Sequence, residues 1–302
     1  MSVKGRLTLG TRGSALALVQ SRWVAGEITQ LGWEVSLEII RTTGDNITDI
    51  PLGSIDVKGL FVKEIEQALL ERRIDLAVHS MKDLPPQVPA GLTVGAIPKR
   101  EDPRDVLVGR TAKTLRELPT GAIVGTSSPR RAAQVLAARP DVTTADLRGN
   151  LDTRLRKLDE GQYDAICLAA AGLRRLGLAD RITEYIDPDV MMPAVGQGAL
   201  AIEVRADDEA ACSAIGALHH QETGIAVTAE RAVLDALNWG CSVPLGVLAT
   251  ISNGEIHLKA ALCSLDGKMI VREQMTGVDP DRIGREMADR LRAAEGKIGY
   301  KL

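Results

Sequence analysis

The chain has 302 residues, 45% hydrophobic, 25% charged and only 2% aromatic, with a formal net charge of −3. That length suits two or three compact domains. So few aromatic rings disfavour the stacking platforms of single-strand nucleic-acid binders, and the small negative charge offers no global field to nucleic acid or an anionic membrane.

No run approaches 18 uncharged apolar residues, so no membrane span is expected. The opening "MSVKGRLTLGTRGS" lacks the apolar core of an export signal. The strand "RLTLGT" leads into a helix over 14–31, followed by the strand "EVSLEII" with period-2 character. Residues 42–58, "TTGDNITDIPLGSIDVK", carry Gly, Pro, Asp and Asn without a period and read as a long loop of the kind used for lids. A helix over 59–71, the strand "DLAVHS", a Pro-rich turn and the strand "AGLTVGAI" follow. "PKREDPRD", residues 98–105, reads as a linker.

Beyond the linker the alternation restarts with the strand "AIVGTS", helices over 128–138 and 150–159, and the strand "DAICLAA". The Pro/Gly passage "MMPAVGQG" precedes the strand "ALAIEV". From Glu222 the order changes: a helix over 222–238, the strands "GVLATI", "EIHLKAAL" and "MIVREQM", and a last helix from about Asp279. The pattern predicts two α/β lobes plus a C-terminal α+β domain. An internal echo supports the pairing of lobes: "LGTRGSALALVQ" (9–20) and "VGTSSPRRAAQ" (124–134) share strand, Gly-Thr, polar turn, helix and Gln. Two βα lobes joined by two hinge crossings resemble the architecture of periplasmic binding proteins.

Arginines gather where a helix start does not favour them. "TSSPRRAAQ" opens a helix with Ser128 as N-cap and Pro129 in the first turn, so Arg130 and Arg131 stand at the positive end of the dipole. Each cation there costs about 0.3–1 kcal/mol, a cost that a bound anion reverses. The alternative is two solvated arginines on a surface helix. Arg12 precedes Ser14 at another helix start, Arg148 precedes an Asn150 cap with Arg154 one turn inside, and Arg174 and Arg175 follow a strand. In open α/β sheets ligands sit at that edge, so a ligand with several carboxylates or phosphates is implied. "VHSMKDLP" runs off a strand. In extended geometry His79, Met81 and Asp83 share one face, with Ser80 and Lys82 on the other. Asp83 is either a turn residue before Pro85 or a carboxylate that faces a cation developing on a substrate.

The four cysteines, Cys167, Cys212, Cys241 and Cys263, stand apart without a CxxC pair, which argues against a zinc cluster or a disulfide framework. Cys167, Cys212 and Cys263 read as reduced core thiols. Cys241, in "ALNWGCSVPLG", follows a helix C-terminus, where the dipole does not activate a thiol. That argues against a cysteine hydrolase working with His219, His220 or His257. "HHQE" reads as a surface cluster at a helix start rather than a metal site, and no metal is expected. A hinged anion-binding module without chemistry remains as the other alternative. It leaves Asp83, Cys241 and the third domain without a role.

Eight segments, "GTRGSALALVQ", "GLFVKEIE", "VHSMKDLP", "GTSSPRRAAQ", "LRGNLDTRL", "PAVGQGALAIE", "AERA" and "GCSVPLG", in this order, carry a resemblance to the porphobilinogen deaminase (hydroxymethylbilane synthase) family. The resemblance implies a transferase of tetrapyrrole and heme biosynthesis. Such an enzyme joins four porphobilinogens head to tail, releases ammonia at each step and delivers a linear tetrapyrrole. It also implies a covalent dipyrromethane cofactor, attached by thioether to Cys241. Asp83 corresponds to the family's catalytic aspartate, holding a pyrrole N–H beside the cationic azafulvene left by loss of ammonia. Arg12, Arg130, Arg131, Arg148, Arg154 and Arg175 correspond to arginines that bind acetates and propionates. Ser80, Lys82, Thr126, Ser128 and Gln197 correspond to lesser contacts. Lys58 corresponds to a lid contact. Phe61, the only phenylalanine, either meets a pyrrole or serves the core. Trp239 either packs on the cofactor or caps the third domain, and Asn238-Trp239 and Ser54 depart from the usual pattern. The implied domains are residues 1–98 with 197–216, 99–196, and 217–302 for cofactor attachment. A cytoplasmic monomer is implied, with possible hand-over of product to uroporphyrinogen-III synthase.

Overall fold

The computed structural model describes residues 3–42, 62–239 and 243–298. Leu7, Leu9 and Thr11 point inward at every second position of strand β1 (Arg6–Thr11), as a strand with one face on a core requires. Ser14 then starts helix α1 (Ala15–Gln30), its Oγ accepting from the N–H of Ala17. Strand β2 (Glu34–Ile39), helix α2 (Lys63–Leu70), strand β3 (Leu76–Ser80) and strand β4 (Leu92–Ala96) follow. The expected helix over 59–71 is described only from Val62, and α2 begins at Lys63.

The chain passes into a second unit at Asp102. The stretch expected to be all linker ends in strand β5 (Asp105–Gly109), an apolar run too short for periodicity to reveal. Its pairing is what makes it a strand, since Val106 lies opposite Leu168 and Val108 opposite Ile166. Strand β6 (Ile123–Gly125), helix α3 (Pro129–Ala138), strand β7 (Thr143–Ala145), helix α4 (Leu151–Asp159), strand β8 (Ala165–Ala169), helix α5 (Ala170–Arg175) and strand β9 (Glu184–Tyr185) complete this sheet. Neither β7 nor β9 was expected, because three and two residues are too few for a pattern. The chain returns to the first unit through strand β10 (Leu200–Arg205) and helix α6 (Glu209–Ile215).

The two five-stranded sheets have the same plan. In the first the order is β2-β1-β3-β10-β4, and in the second β7-β6-β8-β5-β9. In each, three parallel strands come first, and the strand that has just crossed from the other unit enters antiparallel beside the third. The sequence echo at 9–20 and 124–134 is the start of this repeated plan. In the second sheet, Leu107, Ala165 and Cys167 feed one core, while Val106, Val108, Ile166 and Leu168 feed the other. Burial on both faces explains the continuous apolar runs of β5 and β8.

Helix α7 (Gln221–Leu237), strands β11 (Leu245–Ser252), β12 (Glu255–Cys263) and β13 (Ile270–Gly277) and helix α8 (Pro280–Ile298) form the C-terminal α+β block. The three strands make an antiparallel meander, whose core joins Val233, Leu237, Val247, Leu258, Met287 and Leu291. Asn238 ends α7 at φ +50, a left-handed position that Asn and Gly occupy at low cost. Trp239 packs against this core.

By contacts the chain divides into residues 1–101 with 199–224, and residues 102–198 with 225–302. The C-terminal block groups with the second sheet because backbone meets backbone there. A Cβ on Gly246 would lie 2.5 Å from the carbonyl oxygen of Met192. Gly246→Ala therefore forces β11 away from residue 192. Overpacking of this kind costs about 1–3 kcal/mol, read as a lowered denaturant midpoint.

Candidate active site

In the first unit, β1, β2 and β3 run parallel, so the turns after them lie along one edge. Arg12 follows β1 and Asp83 follows β3. They line one concavity together with Ser14, Gln20, His79 and Ser80, and with the apolar side chains of Leu16, Ala17, Val62 and Val78. Gln20 Nε2 donates to Ser80 Oγ at 3.2 Å, and Ser21 Oγ to Thr11 Oγ1 at 2.8 Å. These bonds tie α1 to the turns after β1 and β3.

The extended geometry expected for "VHSMKD" stops at Ser80. Met81–Asp83 form one turn of 3₁₀ helix. Alternation therefore ends, and Asp83 lines the same concavity as Ser80 instead of the opposite face. Asp83 is exposed, and its carboxylate has no hydrogen-bond partner among the described residues. Lys82 is exposed beside it. Lys58 and Phe61, like Ser54 and Cys241, lie outside the described residues.

In the second unit, β7, β6 and β8 are parallel neighbours, and three arginine-bearing turns follow their C-terminal ends. Ser128 caps α3, its Oγ accepting from Arg131 N at 3.4 Å. Thr126 Oγ1 accepts from Ser128 N at 3.2 Å. Ser127, which the sequence did not single out, donates from Oγ to Leu147 O at 2.7 Å and accepts from Leu147 N at 3.0 Å. It fastens the "TSSPRR" turn to the "LRGN" turn. There Arg148 pairs with Asp146 at 2.7 Å, and Arg154 Nε donates to Gly149 O at 2.8 Å. Asn150 caps α4, accepting from Thr153 N at 2.9 Å. Arg175 NH2 donates to Gly198 O at 2.7 Å.

Arg130 and Arg131 are buried, not solvated. Between them lies Asp105, 0% exposed, the last residue of the expected linker. Arg130 NH1 donates to Asp105 Oδ2 at 2.6 Å and to Met192 O at 2.6 Å. Arg131 Nε donates to Asp105 Oδ1 at 2.8 Å, its NH1 to Cys167 O at 3.2 Å and its NH2 to Gln197 Oε1 at 3.4 Å. Gln197 Nε2 completes the set, donating to Asp105 Oδ1 at 3.0 Å and Pro103 O at 2.8 Å. Burial opposes the charge on Asp105, but Arg130 and Arg131 outweigh it and hold the carboxyl far below the ordinary carboxylate range. All three nitrogens of Arg131 are engaged. Arg130 keeps Nε and NH2 without a partner among the described residues.

The other thiols behave as core. Burial pushes Cys167 up to about 12 and Cys263 up to about 11, and Cys212 is half-buried. His220 Nδ1 accepts from Thr223 N at 3.2 Å at the start of α7, and His219 Nδ1 from Ile97 N at 3.2 Å. "HHQE" is a helix start.

A family model described as "Porphobilinogen deaminase, dipyromethane cofactor binding domain" matches residues 7–213, and "Porphobilinogen deaminase, C-terminal domain" matches 225–293. The chain belongs to the porphobilinogen deaminase family. Curated porphobilinogen deaminases resemble it along nearly their full length. That of Syntrophobacter fumaroxidans is 51% identical over 289 residues, 94% of either chain. That of Roseiflexus is 52% identical over 292 residues, 96% of either chain. Among solved structures, a Salmonella typhimurium periplasmic binding protein described for high arginine specificity is 17% identical, with a TM-score of 0.39 over 72% of this chain and 93% of that one. A TRAP periplasmic solute binding protein from Desulfovibrio salexigens is 11% identical, with a TM-score of 0.43 over 74% of each. For a porphobilinogen deaminase, the donor set of the second unit suits dipyrromethane. Arg130, Arg148, Arg154 and Arg175 are guanidiniums at one sheet edge, which is what acetates and propionates need.

Proposed function

We propose that the concavity holding Arg12, Ser80 and Asp83 is where this porphobilinogen deaminase condenses porphobilinogen into the linear tetrapyrrole hydroxymethylbilane. The observation that carries this is the placement of Asp83. It is an exposed carboxylate without a described partner, in a pocket that also contains an arginine. Asp83 accepts the pyrrole N–H and stabilises positive charge as ammonia leaves, and Arg12 takes a ring carboxylate. Ser80, steadied by Gln20, and Lys82 add further donors. At the sheet edge of the second unit, Arg130, Arg148, Arg154, Arg175, Ser128 and Thr126 hold carboxylates of a growing chain. Arg131 and Gln197 act through Asp105, fixing the free side of Arg130. Lys58 and Phe61 serve as lid and pyrrole contacts.

Dipyrromethane, joined by thioether to Cys241, supplies the tethered pyrrole end that is extended. Cys241 stands four positions after Leu237, the last residue of α7. The protein works as a monomer in the cytoplasm and hands its product to a uroporphyrinogen-III synthase. No described helix is long and apolar enough to cross a membrane.

Intact mass of the purified protein tests the tether. The wild type should carry an excess equal to two linked pyrroles, and Cys241→Ala should show the bare chain mass and no turnover. An unmodified wild-type chain that still turns over porphobilinogen rejects the reading.

A further inference from the structure

Three residues of the shared motifs have no part in the chemistry above: Glu66 of "GLFVKEIE", His79 of "VHSMKDLP" and Glu203 of "PAVGQGALAIE". They gather in the first unit. Across the antiparallel pair β3 and β10, His79 lies opposite Ala201 and Glu203 opposite Ala77. The two side chains are therefore diagonal neighbours on one face of the sheet. His79 Nε2 stands 2.9 Å from Glu203 Oε2, both groups buried. Glu203 Oε1 has no hydrogen-bond partner among the described residues.

Glu66, on α2, is also buried. Burial and the neighbouring Glu203 push its carboxyl above the ordinary range, against the weaker pull of His79 and Lys63. A buried carboxylate is costly unless it is paired or protonated. Of the cluster, Glu66 is the group pushed toward its protonated form. His79 is also among the residues that line the pocket with Arg12 and Asp83. If Nε2 donates to Glu203, the ring is the Nε2–H tautomer and Nδ1 is left as an acceptor. Nδ1 has no hydrogen-bond partner among the described residues.

We propose that His79, oriented by Glu203 and backed by Glu66, receives and passes on the proton released at each condensation. The inference rests on the pocket being the condensation site. In one cycle the C–N bond of the protonated aminomethyl group breaks, and its electron pair leaves with nitrogen as ammonia. A C–C bond forms from the methylene carbon to the α carbon of the receiving pyrrole. The C–H bond of that α carbon then returns its electrons to the ring, and the proton goes to Asp83 or to water beside it. It passes to Nδ1 of His79 and from there back through Asp83 to ammonia, giving ammonium. His79 touches no reacting atom in this sequence. It is a positioning residue that acts through Asp83, and the charged groups facing it are Glu203, Glu66 with Lys63, Asp83 and Arg12.

Two measurements on the full chain decide it. The first is ¹⁵N-histidine NMR of the wild type, resolving the four histidines. His79 should show the Nε2–H tautomer, whereas an Nδ1–H tautomer overturns the proposal. The second is the kcat pH profile of His79→Gln, which keeps a donor to Glu203, on protein whose adduct has been verified by mass. We expect kcat down about 10²-fold, KM within about twofold, and loss of one limb of the wild-type profile. A wild-type profile, or a loss carried by KM alone, overturns it. If His79→Gln does not fold, Glu66→Gln replaces it and should displace the same limb. An unmoved limb then counts against the cluster. Asp83→Asn measured in parallel separates the two readings. Full turnover there rejects the pocket itself, whereas a collapse there with a wild-type His79→Gln profile rejects this inference alone.

Discussion

Asp83→Asn should lower kcat by about 10²–10⁴-fold and leave the denaturation midpoint unchanged. Both halves of this expectation come from the same geometry. Asp83 is exposed at the end of one 3₁₀ turn, and no described group depends on its carboxylate. The fold therefore loses nothing when the charge goes. Asparagine keeps the shape and one acceptor oxygen but can neither balance a developing cation nor take up a proton. Steady-state turnover of porphobilinogen, read beside a urea titration, checks it. If kcat stays within a few-fold of wild type, Asp83 is a turn residue and nothing more.

Asp105→Ala should do the reverse, destabilising the second unit by about 3–5 kcal/mol, the usual cost of deleting one partner of a buried ion pair. Among the described residues, the substitution leaves the two buried guanidiniums the carbonyls of Cys167 and Met192 and the amide of Gln197. It also frees Arg130 to rotate, so KM for porphobilinogen should rise as well. The pH dependence follows from the direction of the shift. Asp105 is held well below its unfolded value, so its stabilisation is complete above the unfolded carboxylate range near about 4. It is lost only as pH falls further, through the folded value. Wild-type stability should thus owe no slope to Asp105 between about pH 5 and 8, while the deficit of Asp105→Ala stays constant there and shrinks in strong acid. A deficit below about 1 kcal/mol would falsify the clamp.

The elements with caps or a period were legible in the chain alone. Ser14, Ser128 and Asn150 each stand one residue before a helix because each supplies an acceptor to a first-turn N–H. The repeated Gly-Thr turn and the following Gln announced two lobes. The two glutamines do matching work, Gln20 on Ser80 and Gln134 on Met192. Arg12 and Asp83 were singled out from local features: a charge next to a cap and an acid at the end of a strand.

Local pattern alone decided which residue types stand at strand ends and helix starts, because capping, alternation and turn chemistry act over a few neighbours. Those rules suffice for α1, α3 and α4, and for an acid after β3. Partners distant in sequence required the fold. Asp105 meets Arg130 and Arg131 only because β5 enters antiparallel beside β8, and His79 meets Glu203 only because β10 does the same beside β3. Whether an arginine is a solvated charge or a buried strut depends on such pairings. They are set by burying two sheets' worth of apolar side chains at once, a condition that no short window of sequence contains.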